Sequence, residues 1–130
     1  MDRKKLLKNI VFLMFLMFLA NSVILKFHWY YSIWWIDMVM HFFGGAWVGL
    51  FFFYVFYTRK WFSNKILIII LSVLLIGISY EVFEFFLGTI SREPFDILDT
   101  LSDLFFDLLG GGAAILYFAK RIMITEKNTV

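Results

Sequence analysis

The segment ILIIILSVLLIGISYEVFEFFLG, residues 66–88, decides how this chain is read. An α-helix rises about 1.5 Å per residue and the hydrocarbon core of a bilayer is about 30 Å thick, so roughly 20 apolar residues cross it. Residues 66–80 carry no charge at all, and the segment is long enough to span. Glu81 and Glu84 then stand near its far end, where an ionised group is costly against lipid. One segment therefore predicts both a membrane helix and acidic side chains that need polar company inside a bundle.

Three further windows have the same character, at about Leu6–Leu25, Met38–Tyr57 and Leu101–Ala119. The opening MDRKKLLKNIVFLMFLMFLA has the basic head of a signal peptide. Its apolar run is too long for an ordinary h-region, however, and Ala20-Asn21-Ser22 makes a poor cleavage site, so it reads as the first spanning helix. Between the first two windows lies KFHWYYSIWW, residues 26–35, whose Trp and Tyr density suits the headgroup level and predicts a short interfacial helix. The only proline, Pro94, follows Ser91-Arg92-Glu93. Proline is tolerated in a first helical turn, so the fourth helix is predicted to begin near Pro94 and to enter the membrane around Leu101.

Composition agrees. Hydrophobic residues make up 62% of the 130 and aromatics 22%, with mean hydropathy +0.84, which leaves almost no room for a separate soluble domain. The expected architecture is all-α: one transmembrane domain, residues 1–130, built as a bundle of four transmembrane helices. The absence of cysteine excludes a disulfide scaffold and thiolate chemistry.

Orientation follows from the basic residues. Arg3, Lys4, Lys5 and Lys8 precede the first span; Arg59, Lys60 and Lys65 join the second to the third; Lys120, Arg121 and Lys127 follow the fourth. Only Lys26 and Arg92 lie in the other two connections. This bias predicts that both termini are cytoplasmic. The same flanks serve as anionic-lipid contacts. GxSxG, P-loop, HExxH and nucleic-acid signatures are all missing, and no nucleic-acid partner is expected.

Of the ten acidic residues, seven collect at the extracytoplasmic ends of spans two to four: Asp37, Glu81, Glu84, Asp96, Asp99, Asp103 and Asp107. Asp37 and His41 are i,i+4, and Glu81 and Glu84 are i,i+3. In DILDTLSDLFFDLLGGG, residues 96–112, the four aspartates fall within an arc of roughly 80°. Each set faces one side of its helix, which predicts a shared polar cavity. So many carboxylates in a confined space cannot all remain ionised unless cations neutralise them. A divalent metal meets that need, and carboxylate oxygens with one imidazole suit Mg²⁺ or Mn²⁺, with Zn²⁺ and Fe²⁺ as further candidates. The candidate ligands are His41, Glu81, Glu84, Asp99, Asp103 and Asp107, and the candidate catalytic groups are Asp37, His41 and Glu84. The bland reading is interhelical hydrogen bonding by protonated acids, with Asp96 and Asp99 merely in the headgroup zone, where acids in a first turn suit the helix dipole.

Gly44, Gly45, Ala46 and Gly49 in span two, and Gly110 to Ala114 in span four, predict close contact between those helices; a flexible point at Gly110–Gly112 is the alternative. Phe51, Phe52, Phe53, Tyr54 and Phe56 are expected to face lipid, and Ser72 and Ser79 to be packing hydroxyls.

D37MVMHFFGG45, S79YEVFE84 and D96ILDTLSD103 before Leu109-Gly110-Gly111 resemble the VanZ-like superfamily of small bacterial and archaeal membrane proteins, nearest to its YjdF-like branch. That group is similar in pairing D-x-x-x-H-F-x-x-G, Y-E-x-x-E and D-T-x-x-D segments, here Asp37/His41/Gly45, Tyr80/Glu81/Glu84 and Asp99/Thr100/Asp103. The resemblance covers spans two to four. It implies a multi-pass protein of a prokaryotic plasma membrane with a polar motif cluster, and it implies little about activity. VanZ proper is associated with resistance to teicoplanin. Its last motif tends to carry D-x-x-x-N where this chain has Asp103 and Asp107, which strengthens a metal site here and weakens transfer of that role.

Three functions are therefore in view. The first is a metal-dependent enzyme acting on a phospholipid or polyprenyl phosphate, with Asp37 orienting His41 or serving as base. The second is a non-enzymatic accessory protein that binds lipid or a partner. The third is a transporter of protons or divalent cations, against which the nearly uncharged inner halves of the spans speak.

Overall fold

The computed structural model describes residues 3–56 and 65–128. Five helices follow in order: α1 (Arg3–Lys26), α2 (Trp29–Ser32), α3 (Ile36–Phe56), α4 (Lys65–Ser91) and α5 (Ile97–Asn128). Four of them are long and apolar enough to cross a membrane, and there is no strand among the described residues. Residues 59 and 60, which carry part of the charge bias, lie outside the described residues.

The helices are apolar nearly all round, as expected where lipid is the solvent. α1 is the most peripheral, with exposed Phe12, Phe15 and Phe18 along its length, while α5 is the most enclosed. α3 and α5 form the central pair. Glycine makes this approach close: a Cβ on Gly45 would overlap the Asp107 carbonyl, and one on Gly110 would overlap that of Phe42. At Gly49 it would sit 3.2 Å from the Ala114 Cβ. The small-residue contact predicted between these spans is therefore present, and Gly110–Gly112 lie within continuous helix.

The end of the bundle that holds both termini is closed by buried Leu6, Ile10 and Phe118, packed with Trp47, Leu50, Phe53 and Tyr54. Phe53 stacks on Phe118 at 4.1 Å between ring centroids. This corrects the expectation of a wholly lipid-facing aromatic face: Phe51 is exposed, but Phe53 and Tyr54 turn inward because the incoming ends of α1 and α5 need aromatic filling there. The Trp47 indole donates to the Ile10 carbonyl at 3.1 Å and ties α1 to α3. Ser72 and Ser79 donate to carbonyls of their own helix one turn back, at 2.8 Å each.

The other end carries the acids, and its connections are tightly specified. α4 stops in a Schellman pattern: Arg92 is left-handed at φ 61°, and the Glu93 N–H donates to the Gly88 carbonyl at 2.9 Å. Pro94 lies in the connection instead of opening α5. The helix starts at Ile97 because Asp96 caps it, its Oδ1 accepting from the N–H groups of Leu98 at 3.0 Å and Asp99 at 3.4 Å. α2 is the short helix foreseen between the first two spans. It is entered through His28 at φ 53°, and Tyr31 beside it is exposed.

Candidate metal centre

α3, α4 and α5 bring six of the seven acidic and imidazole candidates together. His41 is buried at the centre, one helical turn after Asp37 on α3. Its two ring nitrogens face different partners. Nδ1–H donates to Asp107 Oδ1 at 3.2 Å. Nε2 points the other way, 3.6 Å from Asp103 Oδ2 and 3.8 Å from Asp37 Oδ1. With Asp107 on Nδ1, Nε2 stands between two carboxylates, and a neutral imidazole held in this way would turn its Nε2 lone pair toward a metal. Asp107 is thus the hydrogen-bond partner of the imidazole, and Asp37 lies on its other side with Asp103.

A second group lies toward α4. One oxygen each from Glu81, Glu84 and Asp103 gather within 4.8 Å of one another, as do one ligand atom each from Asp37, His41 and Asp103. Asp103 is common to both. It is the most deeply buried of these residues, 2 % exposed, with Glu81 at 9 %. Asp103 Oδ1 and Glu81 Oε1 are buried without a hydrogen-bond partner. Glu84 is exposed and Asp37 half-buried, so each group has one accessible edge.

Asp99 is exposed and joins neither group, and Asp96 is occupied as a helix cap. Asp99, Asp103 and Asp107 share a face of α5, with Asp96 just before its first turn, but Asp99 lies beyond the packing of the neighbouring helices. Asp107, at the lower end, meets α4 closely: a Cβ on Gly77 would come within 2.7 Å of Asp107 Oδ2. Gly77 therefore keeps the space that lets Asp107 reach His41, a role its position in a long aliphatic run does not reveal.

A cavity of about 370 Å³ opens beside Asp37 and His41. Met17, Phe18, Met40, Val48 and Ile76 make its apolar wall, and Asn21, Tyr30, Tyr80 and Asp107 join the polar end. The Tyr80 ring meets His41 edge-on at 5.8 Å. Tyr30, on α2, donates its hydroxyl to Asn21 Oδ1 at 2.7 Å. Burial, then the nearby charges of Asp37 and Glu84, push its phenol above the usual 10.0, so it stays a donor. Asn21 and Tyr30 were not foreseen as site residues. The available signal was an amide in the outer half of a phenylalanine-rich helix, together with an aromatic segment that reads first as a membrane anchor.

No curated protein and no solved structure matches the chain. The family described as "Predicted membrane protein (DUF2238)" matches residues 1–123. With its four apolar helices, the chain is a multi-pass membrane protein and belongs to this DUF2238 family.

Proposed function

We propose that this protein binds a divalent metal at the acidic end of its bundle and acts there as an enzyme on a phosphoryl-bearing amphiphile, a phospholipid or a polyprenyl phosphate. One observation carries the reading: two buried carboxylate oxygens without hydrogen-bond partners, one on Asp103, which groups with His41, and one on Glu81, which groups with Asp103. Desolvating an unpaired carboxylate costs several kcal/mol, and a cation removes that cost. The donor set, carboxylates with one histidine, fits Mg²⁺, Mn²⁺, Fe²⁺ or Zn²⁺. Bound there, such an ion would supply Lewis acidity toward a phosphoryl oxygen.

The chain's own residues do the rest. Asp107 holds the His41 ring. Asp37, at the cavity, has one carboxylate oxygen on the ligand side and the other placed to take a proton from an attacking water. The apolar wall seats a hydrocarbon chain while the polar end holds its head. In such a hydrolysis the water oxygen bonds to phosphorus, the ester P–O bond breaks and the released alcohol takes a proton. The charge bias supports an outer-leaflet site with both termini cytoplasmic, in a prokaryotic plasma membrane. The three motifs support placement in the VanZ-like superfamily near its YjdF-like branch. The buried apolar closure at the opposite end weighs against a through-path for ions.

The test is turnover in vesicles. Protein reconstituted with Mn²⁺ should release phosphate or head group from a polyprenyl phosphate or phospholipid, and Asp37→Asn should abolish release. Binding of the amphiphile without turnover would replace this reading by the accessory one. For topology, Arg92→Cys should react with an impermeant thiol reagent from outside; reaction only from inside would invert the arrangement.

A further inference from the structure

Asp103 faces two ways. Toward α3, Oδ2 lies 3.6 Å from His41 Nε2, which is 3.8 Å from Asp37 Oδ1. Ligands bonded at about 2.1 Å around one ion sit roughly 3.0–3.4 Å apart, so a small contraction would close this group on a metal. Toward α4, the Asp103 carboxylate gathers with Glu81 and Glu84 within 4.8 Å. The oxygens left without partners, Asp103 Oδ1 and Glu81 Oε1, belong to residues only 2 % and 9 % exposed.

Charge decides how many ions this set can hold. Asp37, Glu81, Glu84 and Asp103 bring four negative charges when ionised, and neutral His41 brings none. One divalent ion leaves two charges uncompensated within the span, where each is expensive; two divalent ions neutralise the set. We propose that Asp103 is the bridging carboxylate of a two-metal centre. One ion is held by Asp37, His41 and Asp103 Oδ2. The other is held by Glu81, Glu84 and Asp103 Oδ1. This rests on the metal reading above and adds the count and the shared ligand. Ions bridged in this way lie about 3.5–4 Å apart, and the carboxylate-rich donors select Mn²⁺ or Fe²⁺ over softer metals.

The experiment is manganese counting with electron paramagnetic resonance. The full chain in detergent is stripped with chelator, loaded with Mn²⁺ and desalted. Two Mn²⁺ per chain with an exchange-coupled spectrum are expected. Asp37→Asn and Glu84→Gln, changes at the accessible edges, should each retain one Mn²⁺ and give the isolated six-line signal. Folding of both is checked by helical circular dichroism and gel filtration. A single uncoupled Mn²⁺ in the wild type, or two without coupling, overturns the bridged pair and leaves the metal reading standing. No Mn²⁺ at all overturns both.

Discussion

Gly45→Ala is the sharpest perturbation of the α3–α5 contact on which the site is built. The added methyl would overlap the Asp107 carbonyl oxygen and lie 2.6 Å from its carbon and 2.7 Å from its Cα. Ordinary Cβ contacts begin near 3.4 Å, and the carbonyl oxygen is the nearest atom, so this stretch of α5 must retreat by more than about 1 Å. The obstacle is backbone, so no rotamer change relieves it. Overpacking of this kind costs about 1–3 kcal/mol, occasionally more. The retreat also carries Asp107 away from His41, whose 3.2 Å hydrogen bond has little slack. Gly112→Ala is the internal control, because its Cβ would meet nothing within 4 Å. Helix propensity favours alanine over glycine there by up to about 1 kcal/mol. The same propensity gain applies at Gly45, so unfolding in mixed micelles, followed by circular dichroism, should separate the two variants by the overpacking cost, about 1–3 kcal/mol. Equal stability of Gly45→Ala and Gly112→Ala would refute the close contact.

Other consequences are local. Asp96→Ala should destabilise by about 1 kcal/mol through loss of the α5 cap, with metal content unchanged; loss of metal would return Asp96 to the site. Arg92→Gly should stabilise by about 0.5–1 kcal/mol, since a left-handed φ of 61° suits glycine; a loss of stability would contradict the turn. The Tyr30 phenol should ionise above 10.0, read at 295 nm as the difference between wild type and Tyr30→Phe. Because its folded value is raised, its contribution to stability is complete below 10.0 and declines as the pH rises past that point; ionisation at or below 10.0 would contradict the burial of Tyr30 beside Asp37 and Glu84.

The four spans were legible because each is a long apolar window, and lipid imposes that pattern on every helix. The α3–α5 contact was legible because small residues at helical spacing have few other uses in such segments. The start of α5 was misplaced because proline marks a turn as readily as a first helical residue, and the capping geometry of Asp96 decides between them. Phe53 illustrates a second limit: a phenylalanine facing lipid and one facing the core look alike in sequence, and only the neighbouring helix ends settle which it is. The site was legible as a set of residues and not as a division of labour. Helical spacing put Asp96, Asp99, Asp103 and Asp107 on one face, but which level of α5 meets α3 and α4 is set by tertiary packing. Gly77 and Asn21 contribute through that packing and have no motif.

The account stands on the acidic end of the bundle holding metal, and elemental analysis of the purified full-length protein tests it most directly. After loading with divalent metal and desalting, the wild type should keep at least one ion per chain. Asp103→Asn, which leaves the helices and the Asp107–His41 hydrogen bond in place, should lose it. Wild-type protein that keeps no more metal than Asp103→Asn would contradict the account.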